Sequence, residues 1–277
     1  MLKQRVITAI VLVAGLLAGL FFLPPLGWLL LVATVCGGAG WEWAGLSGWR
    51  DWRRPAFALA AAGACLFPGL AGGLAQADAM PHGAIFAGYV LSAVFWIGLV
   101  PLWLKHKWKI EGTAGALVVG LIVLVPPALA LVHLRQIGPL VLLAVMALVW
   151  VADIAAYFSG RAFGRLKLAP EISPGKTWEG AAGAVVGVLV VGFAMLMYFS
   201  PAALDLHSPA LIASLFVLLT GVSIEGDLFE SMLKRQAGIK DSGAILPGHG
   251  GILDRIDSLT STLPMAGLAV VWILHRG

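Results

Sequence analysis

The chain has 277 residues and a formal net charge of +4, with 12% of residues charged and 60% hydrophobic. Its mean hydropathy is +0.95. Soluble domains carry about 25% charged residues, so a water-soluble globular fold is excluded and a polytopic, all-α membrane protein is predicted. The 35 glycines suit close helix–helix packing in lipid. Cys36 and Cys65 lie in separate apolar runs without a C-x-x-C pair and read as small buried hydrophobes.

A helix needs roughly 20 apolar residues to cross the hydrocarbon core. Nine such runs are predicted, at 6–23, 26–45, 56–74, 83–104, 114–133, 138–158, 179–200, 209–229 and 259–275. The first follows Met-Leu-Lys-Gln-Arg and has some character of a signal peptide. Because Pro24-Pro25 turns straight into the second run, it is read as a retained helix. Five runs fall in 1–135 and four in 136–277. The second region is predicted to be catalytic, with polar loops at 159–178 and 230–258.

Orientation follows from the cations. With the N-terminus and the loops after runs two, four, six and eight on one side, that side holds 16 lysines and arginines. The other keeps only Arg135 and Arg276. The positive-inside rule predicts that the first side is cytoplasmic. Both large polar loops fall there, while the far-side loops (75–82 and 201–208) are short and nearly uncharged. The chemistry is therefore expected at the cytoplasmic interface. Compact loops and this asymmetry suggest a multi-pass protein of a bacterial inner membrane.

Within 1–135 the informative residues are few. Trp41, Glu42 and Trp43 end the second run, and Trp49, Trp52, Trp103 and Trp108 lie in or beside cationic loops. An interfacial aromatic belt with snorkelling cations is the simpler reading. Attraction of an anionic lipid toward a site is the other.

Asp153, Tyr157 and Arg161 share one face at the end of run six, by their i, i+4, i+8 spacing. The next loop contains Ser173-Pro174-Gly175-Lys176-Thr177 ahead of a helix. Hydroxyls, a lysine and a helix N-terminus make a phosphate cradle. The spacing is not that of a P-loop, and an ordinary N-cap among cytoplasmic cations fits equally. Asp227, Glu230, Ser231 and Lys234 lie on one face of a helix leaving the membrane. Asp254 and Asp257 sit on the segment about to re-enter it, after the turn Pro247-Gly248-His249-Gly250-Gly251. Carboxylates on adjacent elements near cations suit Mg²⁺, which takes oxygen ligands from one or two carboxylates plus substrate phosphates. The alternative is mutual charge pairing between helices. His249 is either a phosphate donor or a turn residue.

The stretch Ser231-x2-Lys234-Arg235-x4-Lys240-Asp241-x-Gly243-x3-Pro247-Gly248-His249-Gly250-Gly251-x2-Asp254-Arg255-x-Asp257 resembles the diagnostic motif of the phosphatidate cytidylyltransferase (CDP-diacylglycerol synthase) family, with no departure from it. Gly226–Ser231 and Ser173–Gly180 are similar to that family as well, and the resemblance is sharp over about 150–260. It implies CMP transfer from CTP to phosphatidate with Mg²⁺, giving CDP-diacylglycerol and pyrophosphate. Asp227 and Asp254 would then be the metal carboxylates. Lys234, Arg235, Lys240, Arg255 and the Ser173–Lys176 loop would meet phosphates, with Arg161, Thr177, Ser231, Asp241, His249 and Asp257 completing the site. CTP, phosphatidate and membrane lipids are the implied partners. No nucleic acid is expected, and a homodimer is left open. A CTP-dependent kinase of a lipid alcohol would need a general base, and its nucleotide product would be CDP. An ion-coupled transporter would carry acidic groups through the midplane, whereas these cluster at one interface. The D-G-x2-A-R…D-x3-D pattern of CDP-alcohol phosphotransferases is absent.

Overall fold

The computed structural model describes residues 2–71, 83–199 and 208–274, with side chains from Val6 to Trp272. The helices in order are α1 (Leu2–Phe22), α2 (Pro25–Leu46), α3 (Arg53–Ala71), α4 (Gly83–Ala93), α5 (Val100–His106), α6 (Gly112–Ile137), α7 (Pro139–Phe163), α8 (Trp178–Phe199), α9 (Pro209–Gln236) and α10 (Leu253–Leu274). A π-helical segment, Val94–Leu99, joins α4 to α5 within one apolar run. Each expected run thus contains a helix. Among the described residues, seven helices are long and apolar enough to cross a membrane. The seven do not include α1, whose apolar part is Val6–Phe22, or α10.

Small residues set the helix crossings, since lipid gives apolar faces no reason to avoid it. Along α8, Gly180 and Gly187 face Ala156 O and Ala155 of α7, where an added Cβ would come within 2.9 and 2.8 Å. Gly226 of α9 lies so close to α10 that a Cβ would meet Asp257 O and Ser261 Oγ at 2.6 Å. The Ser261 hydroxyl donates across this crossing to Val222 O at 2.6 Å. Deeper in the bundle the Phe229 ring packs edge-on against Phe95, Trp96 and Trp103.

The contacts at the helix ends sort the cations. At one end Thr8 donates to Pro247 O, Gln236 donates to the carbonyls of Lys107 and Trp108, and Lys107 pairs with Glu171. Leu46 and Ser47 at the end of α2 line a small pocket with Lys109, Gln236 and Ala237, so the loops after α2, α5, α7 and α9 share that end. At the other end Arg135 donates to Leu20 O and Leu23 O. Arg276, residues 75–82 and 201–207, and the side chains of Lys3 and Arg5 lie outside the described residues.

Two expectations change. The 159–178 stretch is more than a loop. It forms an antiparallel hairpin of β1 (Lys167–Ala169) and β2 (Ser173–Thr177), paired Lys167 with Thr177 and Ala169 with Ser173. With only two strands, Pro174 meets the usual rule that proline stays at a sheet edge. The aromatic belt is also only partial. Trp52 and Trp108 are exposed, and Trp41 stacks under Arg54 at 4.4 Å. Trp43, Trp49 and Trp103 are buried instead. Their burial is satisfied locally: Trp43 Nε1 donates to Ala116 O at 2.9 Å, Trp103 Nε1 to Trp108 O at 2.7 Å, and Trp49 meets Phe57 edge-on.

Candidate active site

The helices α7 and α9 run past the expected ends of their apolar stretches, to Phe163 and Gln236. Their last turns carry the site. Asp153, Tyr157 and Arg161 of α7 do share a face, and it lines a cleft of about 430 Å³. Ser173, Lys176 and Thr177 of β2 and Asp227 of α9 complete its polar wall. The Lys176 ammonium sits 2.6 Å from Asp227 Oδ2, and Ser231 donates to Asp227 Oδ1 at 3.2 Å. Arg161 is exposed and reaches Tyr157 OH at 3.4 Å. Thr177 is buried, and its hydroxyl accepts from Gly180 N at 3.1 Å, capping α8. A Cβ on Gly160 or Gly164 would press on that hydroxyl at 3.0 Å, so Thr177 holds the hairpin to α7 and α8.

A second group lies at the start of α10. Lys234 Nζ is 2.6 Å from Asp254 Oδ1 and 3.3 Å from Glu230 Oε1. The other oxygen of Asp254 accepts from Ser242 N at 2.9 Å, Ser242 Oγ at 3.0 Å and Gly251 N at 2.8 Å. Burial alone would raise this carboxyl. The hydrogen bonds from Lys234, Gly251 and Ser242 outweigh it and bring the group below the ordinary carboxylate value. Asp257 follows one turn later and interacts with Asp227 and Asp153, so it joins the first group. Burial raises its carboxyl, and the charges of Asp227 and Asp153 raise it further.

The remaining charged residues of the motif lie at the surface. Arg235, Lys240, Asp241 and Arg255 are exposed, and Arg255 Nε donates to His249 O at 3.0 Å. Gly248 and Gly250 take φ values of 76° and 80°, a left-handed backbone that glycine adopts without strain. His249 N closes the turn onto Leu246 O, while His249 Nδ1 is buried without a partner. Glu42 was placed by sequence reasoning in an aromatic belt. It is fully buried here, against Ser242 and the first residues of α10. A lone carboxylate between two tryptophans in an apolar run was the available signal.

These residues suit a divalent metal in the chemistry of their donors. Asp153, Asp227 and Asp257 interact with one another and share the Lys176 ammonium. Glu230 and Asp254 share Lys234. Oxygen donors in excess of positive charge are what Mg²⁺ takes, with phosphates filling further positions. Among the described residues, no group of three or more His, Cys, Asp or Glu is arranged to hold a metal ion by itself.

An apolar groove of about 640 Å³ adjoins the cleft and shares Leu168, Ala181 and Ile224 with it. Val185, Val217 and Leu228 line it, and Lys105, Lys107 and Glu171 stand at its rim. A polar, cation-bearing cleft thus shares a wall with a lipid-like one.

The sequence profile of the cytidylyltransferase family matches residues 3–273. A Pseudomonas aeruginosa protein named phosphatidate cytidylyltransferase is 42% identical, covering 100% of this chain and 99% of its own. A Haemophilus influenzae protein of the same name is 35% identical over 99% of this chain and 100% of its own. A third, from Synechocystis, is 45% identical over 50% of this chain.

Proposed function

The chain belongs to the cytidylyltransferase family, and we infer that it is a phosphatidate cytidylyltransferase of phospholipid biosynthesis. It transfers CMP from CTP to phosphatidate, giving CDP-diacylglycerol and pyrophosphate. Within this chain the reading is carried by one observation: the Asp227–Lys176 cleft and the apolar groove share a wall at the cation-rich end of the bundle. That arrangement suits a reaction between a water-borne polyphosphate and a lipid.

The nucleophile is a phosphate oxygen of phosphatidate. A phosphate monoester has a second pKa of about 6, so it reacts already ionised and needs no general base. The barrier is the meeting of two polyanions. We assign Mg²⁺ to Asp227 and Asp254, with Asp257 beside Asp227. When bound it supplies charge neutralisation for the triphosphate and the departing pyrophosphate. Lys176, with Ser173 beside it, positions phosphate at the cleft. Arg161, Arg235, Lys240 and Arg255 draw the anions to the rim. Aligning both substrates for attack at the α-phosphorus is the main contribution of the fold. The acyl chains lie in the apolar groove, and residues 1–135 frame the catalytic region 136–277.

The test uses protein in detergent with α-³²P-CTP, phosphatidate and Mg²⁺. Label is expected to enter the organic phase with stoichiometric release of pyrophosphate, and EDTA is expected to abolish both. Release of CDP that depends on an added lipid alcohol, without label in the lipid, would instead identify a lipid kinase.

The topology belongs to the same proposal: nine spans in a bacterial inner membrane, with the N-terminus and the active site cytoplasmic. Cys36 and Cys65 are buried, so a Trp52→Cys variant carries one accessible thiol. Trp52 lies between α2 and α3 and is well exposed. A membrane-impermeant maleimide is expected to label it in inverted vesicles and not in intact spheroplasts. The reverse pattern would overturn the orientation. The family likeness also carries the expectation of a homodimer, read from the mass of the detergent-solubilised protein.

A further inference from the structure

Glu42 of α2 lies far from the motif in sequence, yet it reaches into it 200 residues away. Its side chain is fully buried. Oε1 accepts from Ile252 N at 3.0 Å, and Oε2 accepts from Leu253 N at 2.9 Å. Ser242 Oγ lies 3.1 Å from Glu42 Oε2 and 3.0 Å from Asp254 Oδ2. The preceding amide, Gly251 N, goes to Asp254 itself. Three consecutive amides opening α10 are therefore divided between two carboxylates, one of them from a different helix. Orphan amides at a helix start favour such negative partners.

The motif is shaped to receive this residue. A Cβ on either Gly243 or Gly251 would overlap the Glu42 carboxylate. One turn earlier on α2, a Cβ on Gly38 would come within 2.6 Å of Ile252 Cδ1. The glycines of the loop are needed for more than turning: two of them clear the space that Glu42 occupies.

We propose that Glu42 is a positioning residue of the active site, acting through the α10 amides and Ser242 to fix Asp254. The proposal rests on the assignment of Asp254 as a metal carboxylate. With Asp254 Oδ2 held by Ser242 and Gly251, Oδ1 is the oxygen directed to Lys234 and free to exchange that partner. Glutamine at position 42 would place an amide NH₂ against either the Ile252 or the Leu253 N–H, whichever way it turned, and the α10 start would have to shift. Partners that orient a ligand are typically worth 10–100-fold in metal affinity or activity.

The experiment compares wild type, Glu42→Gln and Ser242→Ala in two readouts. One is Mn²⁺ binding in detergent by EPR titration; the other is steady-state kinetics with CTP and phosphatidate. Glu42→Gln is expected to weaken Mn²⁺ binding and lower kcat by roughly 10–100-fold, with KM for phosphatidate unchanged. Ser242→Ala, which removes only the shared hydroxyl, is expected to move both readouts in the same direction by less. It decides the question if Glu42→Gln does not fold. Wild-type Mn²⁺ affinity and kcat in the folded fraction of the variants would overturn the positioning role. Inactive or Mn²⁺-blind wild-type protein would instead overturn the functional reading beneath it.

Discussion

Asp227→Asn is expected to lower turnover by about 10²–10³-fold, the usual cost of losing one group that stabilises transition-state charge. The folded protein should be unharmed. Asparagine keeps an oxygen for the Ser231 hydroxyl, which now donates to Asp227 Oδ1 at 3.2 Å. The side chain is 29% exposed, so Lys176 can regain water when its partner loses charge. One of three mutually repelling carboxylates also disappears. Asp254→Asn should be equally inactive but less stable. Whichever way its amide turns, an NH₂ faces either Lys234 or the donors of Gly251 and Ser242. Turnover measured beside thermal unfolding in detergent separates the two. Near-normal activity in both variants would sink the metal assignment.

Lys234→Met is expected to destabilise the protein by about 3–5 kcal/mol, the cost of stripping one partner from a buried pair. This corresponds to a fall of roughly 10 °C in the unfolding midpoint. The lysine is only 14% exposed and serves two carboxylates. Asp254 keeps its amide and hydroxyl donors when Lys234 is removed. Glu230 does not: its oxygens have no hydrogen bond, and the 3.3 Å contact with Lys234 is an ion pair without hydrogen-bond geometry. The double variant Glu230→Gln/Lys234→Met should therefore recover part of the lost stability while remaining poorly active. An unchanged midpoint in Lys234→Met would show that the pair is not a structural brace. Its exposure pattern already separates Lys234 from Arg235 and Lys240, which face solvent.

The sequence made the apolar runs and the one-sided cations plain, because both are local properties of composition. The helix faces were legible for the same reason: Asp153, Tyr157 and Arg161 line one cleft at the spacing that predicted it. Spacing does not say which face crosses which. The meeting of Asp153, Asp227 and Asp257 depends on Gly226 lying against Asp257 O and on Gly180 and Gly187 lying against α7. The hairpin escaped notice because β1 has three residues and β2 carries Pro174 and Gly175, so no alternation marks it. Trp49 and Trp103 were misread because burial near a cationic loop is decided by the neighbouring helices. Glu42 was seen and undervalued, since its partners lie 200 to 211 positions away.

That separation has a consequence for how the protein is made. Synthesis at about 5–20 residues per second leaves roughly 10–40 s between Glu42 and the residues that satisfy it. During that interval α2 is already in place and its carboxylate is unpaired. Glu42 lies four residues before the end of α2, on the polar margin where a waiting carboxylate keeps its water. Only when the last helix starts does that water give way to Ser242, Ile252 and Leu253. A ribosome that stops before α10 releases α1 to α9 with Glu42 still lacking the residues that satisfy it.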